Sequence, residues 1–406
     1  MLQDIRQNIR DLRGATNASV VLTGLLVVIV GYASSLPIAF QAAAGAGLSP
    51  SQTSSWIMAI TIGSGLCSII MSIWFRQPVM AAWSTPGLVL LVSGLALDNP
   101  AHYTLNEAVG AYIIVALASI LLGLSGLFGR LMAMVPQPVV LGMLAGVLIR
   151  FGFGLFTALP ERPVMVIAML IAFFVLRRRG FRAPTVGVLA VGLLLALVTQ
   201  DLHVESVQSG LVALEWTAPV FSVEALLGLG LPLFALAMSS QNAPGQAVLR
   251  AAGYQVPING ALVVTGVVSL LTAPFGGHGL TLAAITAAMV TGPEAHPDPD
   301  KRYAAGVAAG VGNIVTGIFG ATLVSLFAVL PHALIAATAG LALTGAIISS
   351  LSGSMAEPSG REGGVIALMC TAANFTLFGI GAPFWGLVMG VLTHEIMTRQ
   401  WTKKEQ

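Results

Sequence analysis

The stretch APFGGHGLTLAAITAAMVTG, residues 273–292, lies deep in an apolar polypeptide, yet it opens with a proline, three glycines and a histidine. A helix broken in this way cannot satisfy its own backbone in lipid, so the segment must be buried in protein or line a watery cavity. A short helix beginning near Gly279 would present free N–H groups and a positive dipole end to an anion at mid-membrane depth. His278 lies at the mouth of that predicted site.

A second stretch has the same construction. QPVMAAWSTPGLVLLVSG, residues 77–94, contains a proline, then extended residues, and then Thr85-Pro86-Gly87 at the start of a short apolar helix. Two broken helices in corresponding places of a membrane protein are the best sequence pointer to the binding site of a transporter. We therefore predict that a substrate binds between these stretches, near Ser84, Thr85, Pro86 and Gly87 on one side and Gly277, His278, Gly279 and Leu280 on the other.

The composition identifies the class of protein. Of 406 residues, 56% are hydrophobic and 8% are charged, and the mean hydropathy is +0.90. Soluble domains carry roughly 25% charged residues, so this chain is expected to be an integral membrane protein. Residues 1–17 are polar and resemble a cytoplasmic amphipathic lead-in more than a signal peptide. The net charge of +2 gives no reason to expect a nucleic-acid partner, and Cys67 and Cys370 lie in apolar runs typical of packing residues.

Apolar runs predict an all-α membrane fold with fourteen transmembrane segments, since a span needs about 20 residues. Two of the segments, the third and the tenth, are half-spans preceded by extended residues. The predicted segments are 18–40, 51–74, 84–97, 106–126, 131–152, 163–177 and 184–200, then 222–241, 257–273, 279–292, 303–326, 331–351, 363–379 and 382–399.

The two halves of the chain repeat. Pro37 and Pro232 each follow a leucine and are 195 positions apart. Pro136 and Pro331, which each precede a later segment, are also 195 positions apart. Pro78 and Pro274, in the two broken stretches, are 196 positions apart. A repeat of seven segments is odd-numbered, so the second copy must be inverted in the membrane.

The positive charges support this topology. With the N-terminus in the cytoplasm, 16 of the 18 Lys and Arg residues fall in loops or termini on the inside, and only Arg150 and Arg162 fall outside. This asymmetry is the positive-inside signal, and it places both termini in the cytoplasm.

His278 is the one ionisable residue that we place at mid-membrane depth, because the acidic residues fall in loops or near segment ends. An ionisable group in the membrane is costly and therefore a functional candidate, and histidine suits reversible proton uptake. The alternative is a neutral imidazole bonded to a carbonyl group that the glycines leave free. Nucleophile, phosphate-loop and metal motifs are absent from the sequence, so we expect neither an enzyme nor a cofactor or metal.

Uncharged polar residues accompany the broken stretches. Ser239-Ser240-Gln241-Asn242 follows an apolar run and offers donors and acceptors for a carboxylate, or simply ends a helix before Pro244-Gly245. Tyr32, Ser34, Ser35 and Gln41 flank Pro37 at the matching place in the first repeat, where ligand contact and interhelical bonding are both open. Asn313 is interpreted as an interhelical contact.

Three stretches resemble the BenE family of benzoate:proton symporters: YASSLPIAFQAA (32–43), MSSQNAPGQAVLR (238–250) and APFGGHGLTLAAITAAM (273–289). The resemblance covers essentially the whole chain and implies a bacterial inner-membrane importer of aromatic carboxylates. More distant likeness to nucleobase and sulfate-permease-like transporters implies a seven-plus-seven inverted repeat, with a core domain that slides against a gate domain and a possible homodimer. By that analogy the core comprises 1–126 and 222–326, the gate 127–200 and 327–406, and 201–221 is a linker.

One departure concerns charge. Nucleobase transporters of this fold carry glutamates on the eighth and tenth segments, where this chain has Gln241, Asn242 and His278. The loss of fixed acids suits an anionic substrate, because like charges repel strongly in a low dielectric. The resemblance thus predicts uptake of benzoate with a proton, the carboxylate meeting these three residues and the ring meeting Phe40 and Phe275. Alternatives are a transporter of another anion or a nucleobase, and an anion channel.

Overall fold

The computed structural model describes residues 2–99, 102–134, 136–181, 184–199, 213–293, 295–378 and 380–398. Most of the predicted linker, 201–212, and the C-terminal tail, 399–406, lie outside the described residues. The described chain is predominantly helical, as the hydropathy pattern predicts.

The first half begins with an amphipathic helix and continues through the first broken segment. Its elements are α1 (Leu2–Ala15), α2 (Ala18–Gly45), α3 (Pro50–Phe75), β1 (Ala81–Trp83), α4 (Thr85–Gly94), α5 (Leu105–Ser125), α6 (Phe128–Met134), α7 (Gln137–Thr157), α8 (Pro163–Arg178) and α9 (Pro184–Val198).

The second half follows the same order. Its elements are α10 (Val223–Ala251), α11 (Ile258–Thr272), β2 (Leu280–Leu282), α12 (Ile285–Val290), α13 (Tyr303–Ile318), α14 (Gly320–Ala328), α15 (His332–Ala356), α16 (Arg361–Ala372), β3 (Thr376–Leu377), β4 (Ile380–Gly381) and α17 (Ala382–Thr398). Within α10, residues 226–230 and 237–242 are wound as π-helix.

Among the described residues, seven helices are long and apolar enough to cross a membrane, or eight if the pair Pro299–Ile318 and Gly320–Leu326, bent by 65°, is one span. The other predicted segments correspond to helices that are shorter or interrupted, such as α4 and α12. The protein therefore has a multi-pass helical membrane fold, and the count of fourteen stays a prediction.

The two broken segments meet as an antiparallel pair of short strands. Ala81 pairs with Leu282, Ala82 with Thr281 and Trp83 with Leu280. The helices that follow, α4 and α12, consequently leave the pair in opposite directions, as an inverted repeat requires. Pro136 and Pro331, the matched prolines, occupy the N-cap positions of α7 and α15.

The prediction of a helix beginning near Gly279 was wrong. Residues 280–282 form β2, and the helix α12 covers only six residues from Ile285. The reason is the partner strand: β1 satisfies the backbone of β2, and two glycines with positive φ, Gly276 (+93°) and Gly279 (+115°), turn the chain into it.

Helix packing falls into two groups. In the first, α13 packs on α2 and α3, and α11 packs on α3 and α5; in the second, α7 packs on α15 and α16, and α16 packs on α17. Glycine permits the closest approaches, since a Cβ on Gly310 would lie 2.7 Å from the carbonyl oxygen of Gly65. The glycine-rich stretch that contains Gly306, Gly310 and Gly317 is therefore a close-packing face.

The helix α1 is tied to the first group. Asn8 donates a hydrogen bond to the carbonyl of Ile73, and Arg76 donates to Asn8 Oδ1 and forms an ion pair with Asp11, each at 2.8–2.9 Å. The Tyr303 hydroxyl donates to the carbonyl of Asn8. The Arg76 guanidinium lowers the pKa of the exposed Asp11 carboxyl below its usual value, since it bonds the ionised form.

Candidate functional site

A cavity of about 600 Å³, here called the large cavity, lies where the two broken segments meet α2, α7, α10 and α15. Its volume suits a small organic ligand, because ligand pockets in proteins measure roughly 300–1,000 Å³. Leucines of α7 and small residues of α15 form an apolar wall. The polar side chains include Ser64, Ser240, Gln241, Thr286, Asn313 and Ser350.

The N-terminus of α4 opens onto the large cavity through Thr85 and Pro86. Ser84 caps this helix: its hydroxyl accepts from the Gly87 N–H at 3.1 Å, and its carbonyl accepts from the Leu88 N–H at 2.8 Å. Pro86 has no N–H. The Thr85 N–H is therefore the amide of the first turn that the Ser84 cap leaves without a hydrogen-bond acceptor. The positive end of the helix dipole thus faces the cavity, where it favours an anion.

Two buried hydroxyls of the large cavity have no protein partner, Ser240 Oγ and Thr286 Oγ1. Buried polar groups are nearly always hydrogen-bonded, so such orphans call for an explanation. Ser240 lies in the π-helical stretch 237–242, and π-bulges are frequent at functional sites. The two hydroxyls come from α10 and α12, both in the second half of the chain.

His278 is buried behind the strand pair and does not line the large cavity. The Trp56 indole N–H donates to its Nδ1 at 3.1 Å, and its Nε2 lies 3.3 Å from the Ser84 carbonyl oxygen. Because Nδ1 accepts, the hydrogen of the neutral imidazole is on Nε2 and is donated to Ser84. The ring therefore connects α3, β2 and the cap of α4, which matches the alternative reading of a neutral, carbonyl-bonded histidine.

Of the free N–H groups predicted at Gly277–Leu280, those of Gly277 and Leu280 are bonded to the protein. The Gly277 N–H donates to the Thr272 carbonyl at 3.0 Å, and the Leu280 N–H donates to Ser269 Oγ at 2.8 Å. The Gly279 carbonyl accepts from the Ser84 N–H at 3.3 Å. The 3₁₀ turn at 273–275 and the fold of the strand pair thus use the N–H groups of Gly277 and Leu280, and the amide that opens onto the large cavity is that of Thr85 on α4.

Some of the other predicted site residues line the large cavity, and the rest pack elsewhere in the protein. Gln241 lines the large cavity, while its neighbour Asn242 is buried and accepts the Leu282 N–H at 2.9 Å, which anchors β2 to α10. Tyr32 packs edge-to-face on Trp83 with ring centroids 5.5 Å apart.

Gly87 lies against Leu233, and Phe40 packs on the apolar core. Phe275 contacts Trp216 edge-to-face at 5.6 Å, and Gln41 lines a separate cavity. The residues named from the sequence that the structure brings together around the large cavity are thus Ser35, Thr85, Pro86, Ser240 and Gln241.

Sequence reasoning missed Ser64, Thr286, Ser349 and Ser350 as lining residues and interpreted Asn313 as an interhelical contact. Thr286 had one detectable signal: it is a hydroxyl residue at the start of the short helix after the broken stretch. The other residues lie on long apolar helices, where a lone serine looks the same whether it faces a cavity or a neighbouring helix.

The sequence is similar to proteins of one known family. The family model for the benzoate membrane transport protein, BenE, matches residues 14–396. The chain belongs to the BenE family. It is 38% identical to the inner membrane protein YdcO of Escherichia coli over 93% of this chain and 95% of that protein. It is 36% identical to the benzoate membrane transport protein of Acinetobacter baylyi over 96% and 98% of the two chains.

Solved structures confirm the inverted-repeat fold. The transmembrane domain of the cyanobacterial bicarbonate transporter BicA is similar with a TM-score of 0.59 at 16% identity, over 96% of this chain and 98% of that one. SLC26A9 is similar with a TM-score of 0.58 at 14% identity, over 93% of this chain and 65% of that one. The BenE-family chain is accordingly a membrane transport protein of the anion-transporter fold and not an enzyme, as predicted.

Proposed function

We propose that this protein is a secondary active transporter that imports benzoate, or a related aromatic carboxylate, together with a proton. One observation carries the proposal: the large cavity combines a helix N-terminus and two unpartnered hydroxyls with an apolar wall. That arrangement matches a small molecule with one anionic end and one aromatic face. The benzoate transport relative from Acinetobacter baylyi supports the same substrate class.

The carboxylate is proposed to bind between the two repeats. The Thr85 N–H, Ser240, Gln241 and Thr286 supply donors, and no acidic side chain is among the described residues that line the cavity. A helix N-terminus contributes about 0.3–2 kcal/mol, so the side-chain donors must add to it. The ring would lie against Leu141, Leu144 and Leu148 of α7.

The proton has two proposed carriers, His278 and the substrate itself. Protonation of His278 would place an N–H on Nδ1 directly against the Trp56 N–H. That repulsion requires Trp56 or the histidine to move, which offers a coupling route between α3 and the strand pair. A carboxylic acid that crosses in its neutral form needs no such rearrangement.

The architecture around the site is part of the proposal. The two packing groups correspond to the core, 1–126 and 222–326, and the gate, 127–200 and 327–406, which would slide against each other. The protein is proposed to lie in the bacterial inner membrane with both termini in the cytoplasm. It would contact membrane lipid through its exposed apolar residues and pair with a second copy of the chain.

The first prediction concerns transport itself. In proteoliposomes with an inward proton gradient, radiolabelled benzoate should accumulate, and a protonophore should abolish the accumulation. Replacing Ser240 with Ala or Thr286 with Val should reduce uptake roughly tenfold each, because each removes a hydrogen bond to an ionised group.

Protein-free vesicles and a Ser349→Ala variant are the controls, since benzoic acid leaks through lipid unaided and Ser349 lines the same cavity with a partnered hydroxyl. Uptake no faster than the leak would refute the substrate assignment. Competition by other anions or a nucleobase would favour a different transported solute, and current without accumulation would favour a channel.

A further inference from the structure

A second cavity of about 270 Å³, here called the small cavity, lies at the other end of α4 and plays no part in the proposal above. Val89, Val92 and Ser93 of α4 form one side of it, and Thr371, Asn374 and Pro383 form the other. Gln41, Asp98 and Asn99 complete the polar part of the lining.

Two buried polar atoms of the small cavity have no partner. They are Gln41 Oε1 and Thr371 Oγ1, and Thr371 is only 3% exposed. Neither is needed for helix capping, and each comes from a different packing group, α2 and α16 respectively. Two unpartnered polar groups on residues that line one void call for an explanation, and a ligand that bridges the two groups supplies one.

The two cavities lie along one seam between α4 and α7. Pro86 lines the large cavity and Val89 the small one, a separation of three residues or about 4.5 Å of helix. On α7, Leu144 and Leu148 face the large cavity while Val147 faces the small one. A single layer of apolar side chains therefore separates the cavities.

The chemistry of the small cavity differs from that of the large one. Gln41 Oε1 accepts hydrogen bonds only, and the Asp98 carboxylate repels an anion, so an ionised carboxylate is a poor fit. A carboxylic acid in its neutral form fits better: its O–H donates to Gln41, its carbonyl accepts from the Thr371 hydroxyl, and its ring meets Val89, Val92 and Val147.

We propose that the small cavity is a second binding site, selective for the protonated form of the aromatic carboxylic acid. The inference rests on the proposed function for its substrate class. It separates the two charge states in space, with the neutral acid in the small cavity and the anion at the α4 N-terminus in the large one. The proton then travels on the substrate through the seam.

Two probes distinguish the sites. Benzamide is neutral at all working pH values and carries an N–H donor and a carbonyl acceptor, so it mimics the protonated acid. Benzoate at pH 8 is fully ionised, because carboxylic acids titrate near pH 4. Binding of each to the detergent-purified full chain is measured by calorimetry, with methyl benzoate, which lacks the donor, as the comparison ligand.

The expected result is that variants of the two cavities have opposite effects on the two ligands. Thr371→Val and Gln41→Met, both close in shape to the native residues, should weaken benzamide at least about tenfold and leave benzoate at pH 8 unchanged, since each leaves a buried polar group of the ligand unpaired. Ser240→Ala should do the reverse. Methyl benzoate should bind to the small cavity more weakly than benzamide, because it has no donor for Gln41 Oε1.

Each contrary result has a separate meaning. Benzamide binding that is absent, or unaltered in both Thr371→Val and Gln41→Met, overturns the second site and leaves the large cavity intact. If benzoate at pH 8 does not bind while benzamide does in a Thr371-dependent manner, the second site stands and the anion site of the proposed function fails. Native melting behaviour of each variant confirms that it folds.

Discussion

At the residue scale, the position of His278 shows how a buried polar group can be structural. Both ring nitrogens form hydrogen bonds with protein groups, Nδ1 with the Trp56 indole and Nε2 with the Ser84 carbonyl. The same Ser84 caps α4, whose first turn faces the large cavity. The histidine thus controls the orientation of the cap and, through it, of the anion-binding helix end.

The first prediction at this scale is energetic. His278→Ala should lower the free energy of unfolding, because it leaves the buried Trp56 N–H without an acceptor, at about 1–3 kcal/mol, whereas the Ser84 carbonyl keeps its bond from the Leu88 N–H. In a Trp56→Phe background the same change should cost less, since one stranded group is gone. Apparent melting temperatures of the four proteins in detergent give the comparison. Equal losses in both backgrounds would contradict the hydrogen bond.

The pH dependence of benzoate uptake by a further variant, His278→Gln, distinguishes the two proposed proton carriers. If His278 carries the proton, His278→Gln should abolish the dependence of benzoate uptake on a pH gradient. If the substrate carries it, the dependence should persist in whatever uptake remains. Persistence at native strength would remove His278 from the coupling role.

At the element scale, the closest helix contacts depend on glycines with no room for a side chain. On α7, a Cβ added at Gly142 would lie 2.1 Å from the Gly364 carbonyl oxygen of α16, whereas Gly154 on the same helix has no atom within 4 Å. The backbone of α16 cannot withdraw without losing its own helical bonds. This contact holds α7, and with it the apolar wall of the large cavity, in place.

A matched pair of variants tests that contact. Gly142→Ala should destabilise the protein by about 1–3 kcal/mol through overpacking. Gly154→Ala should be neutral or slightly stabilising, because alanine is the better helix former. Thermal unfolding of the purified proteins measures both, and a similar loss in the two variants would mean that helix flexibility rather than contact distance matters.

At the scale of the whole molecule, the two cavities open at opposite ends of the α4–α7 seam. The seam separates the two packing groups, so any relative movement of the groups changes both cavities together. The strand β1 borders the large cavity, and the Ala283 N–H extends the hydrogen bonding of the strand pair by donating to the Met80 carbonyl at 2.9 Å. This geometry suits a barrier that is crossed by one substrate at a time.

Chemical labelling tests the arrangement in the membrane. With Cys67 and Cys370 replaced by serine, we expect Ala346→Cys, in the large cavity, to react with an impermeant thiol reagent only from the side of the N-terminus. Ala96→Cys, in the small cavity, should react only from the opposite side. Benzoate should protect Ala346→Cys. Labelling of both positions from one side would refute the topology predicted from the positive charges.

The membrane class, the inverted repeat and the two broken segments could be predicted from the sequence alone. Each depends on local chemistry that composition and spacing carry directly: hydropathy, prolines 195 positions apart, and glycines that interrupt a helix. The family followed from three stretches for the same reason. Thr85, Pro86 and Gln241 were placed at the cavity because they adjoin those local interruptions.

Only the tertiary structure decided which polar groups are available to a ligand. The N–H groups of Gly277 and Leu280 are satisfied by Thr272 and Ser269, partners that a turn and the packing of α11 supply. Asn242 and His278 are likewise bonded to protein, while Ser240 and Thr286 are not. Whether a hydrogen-bonding group is free is a property of everything packed around it, and no local pattern in the chain records that.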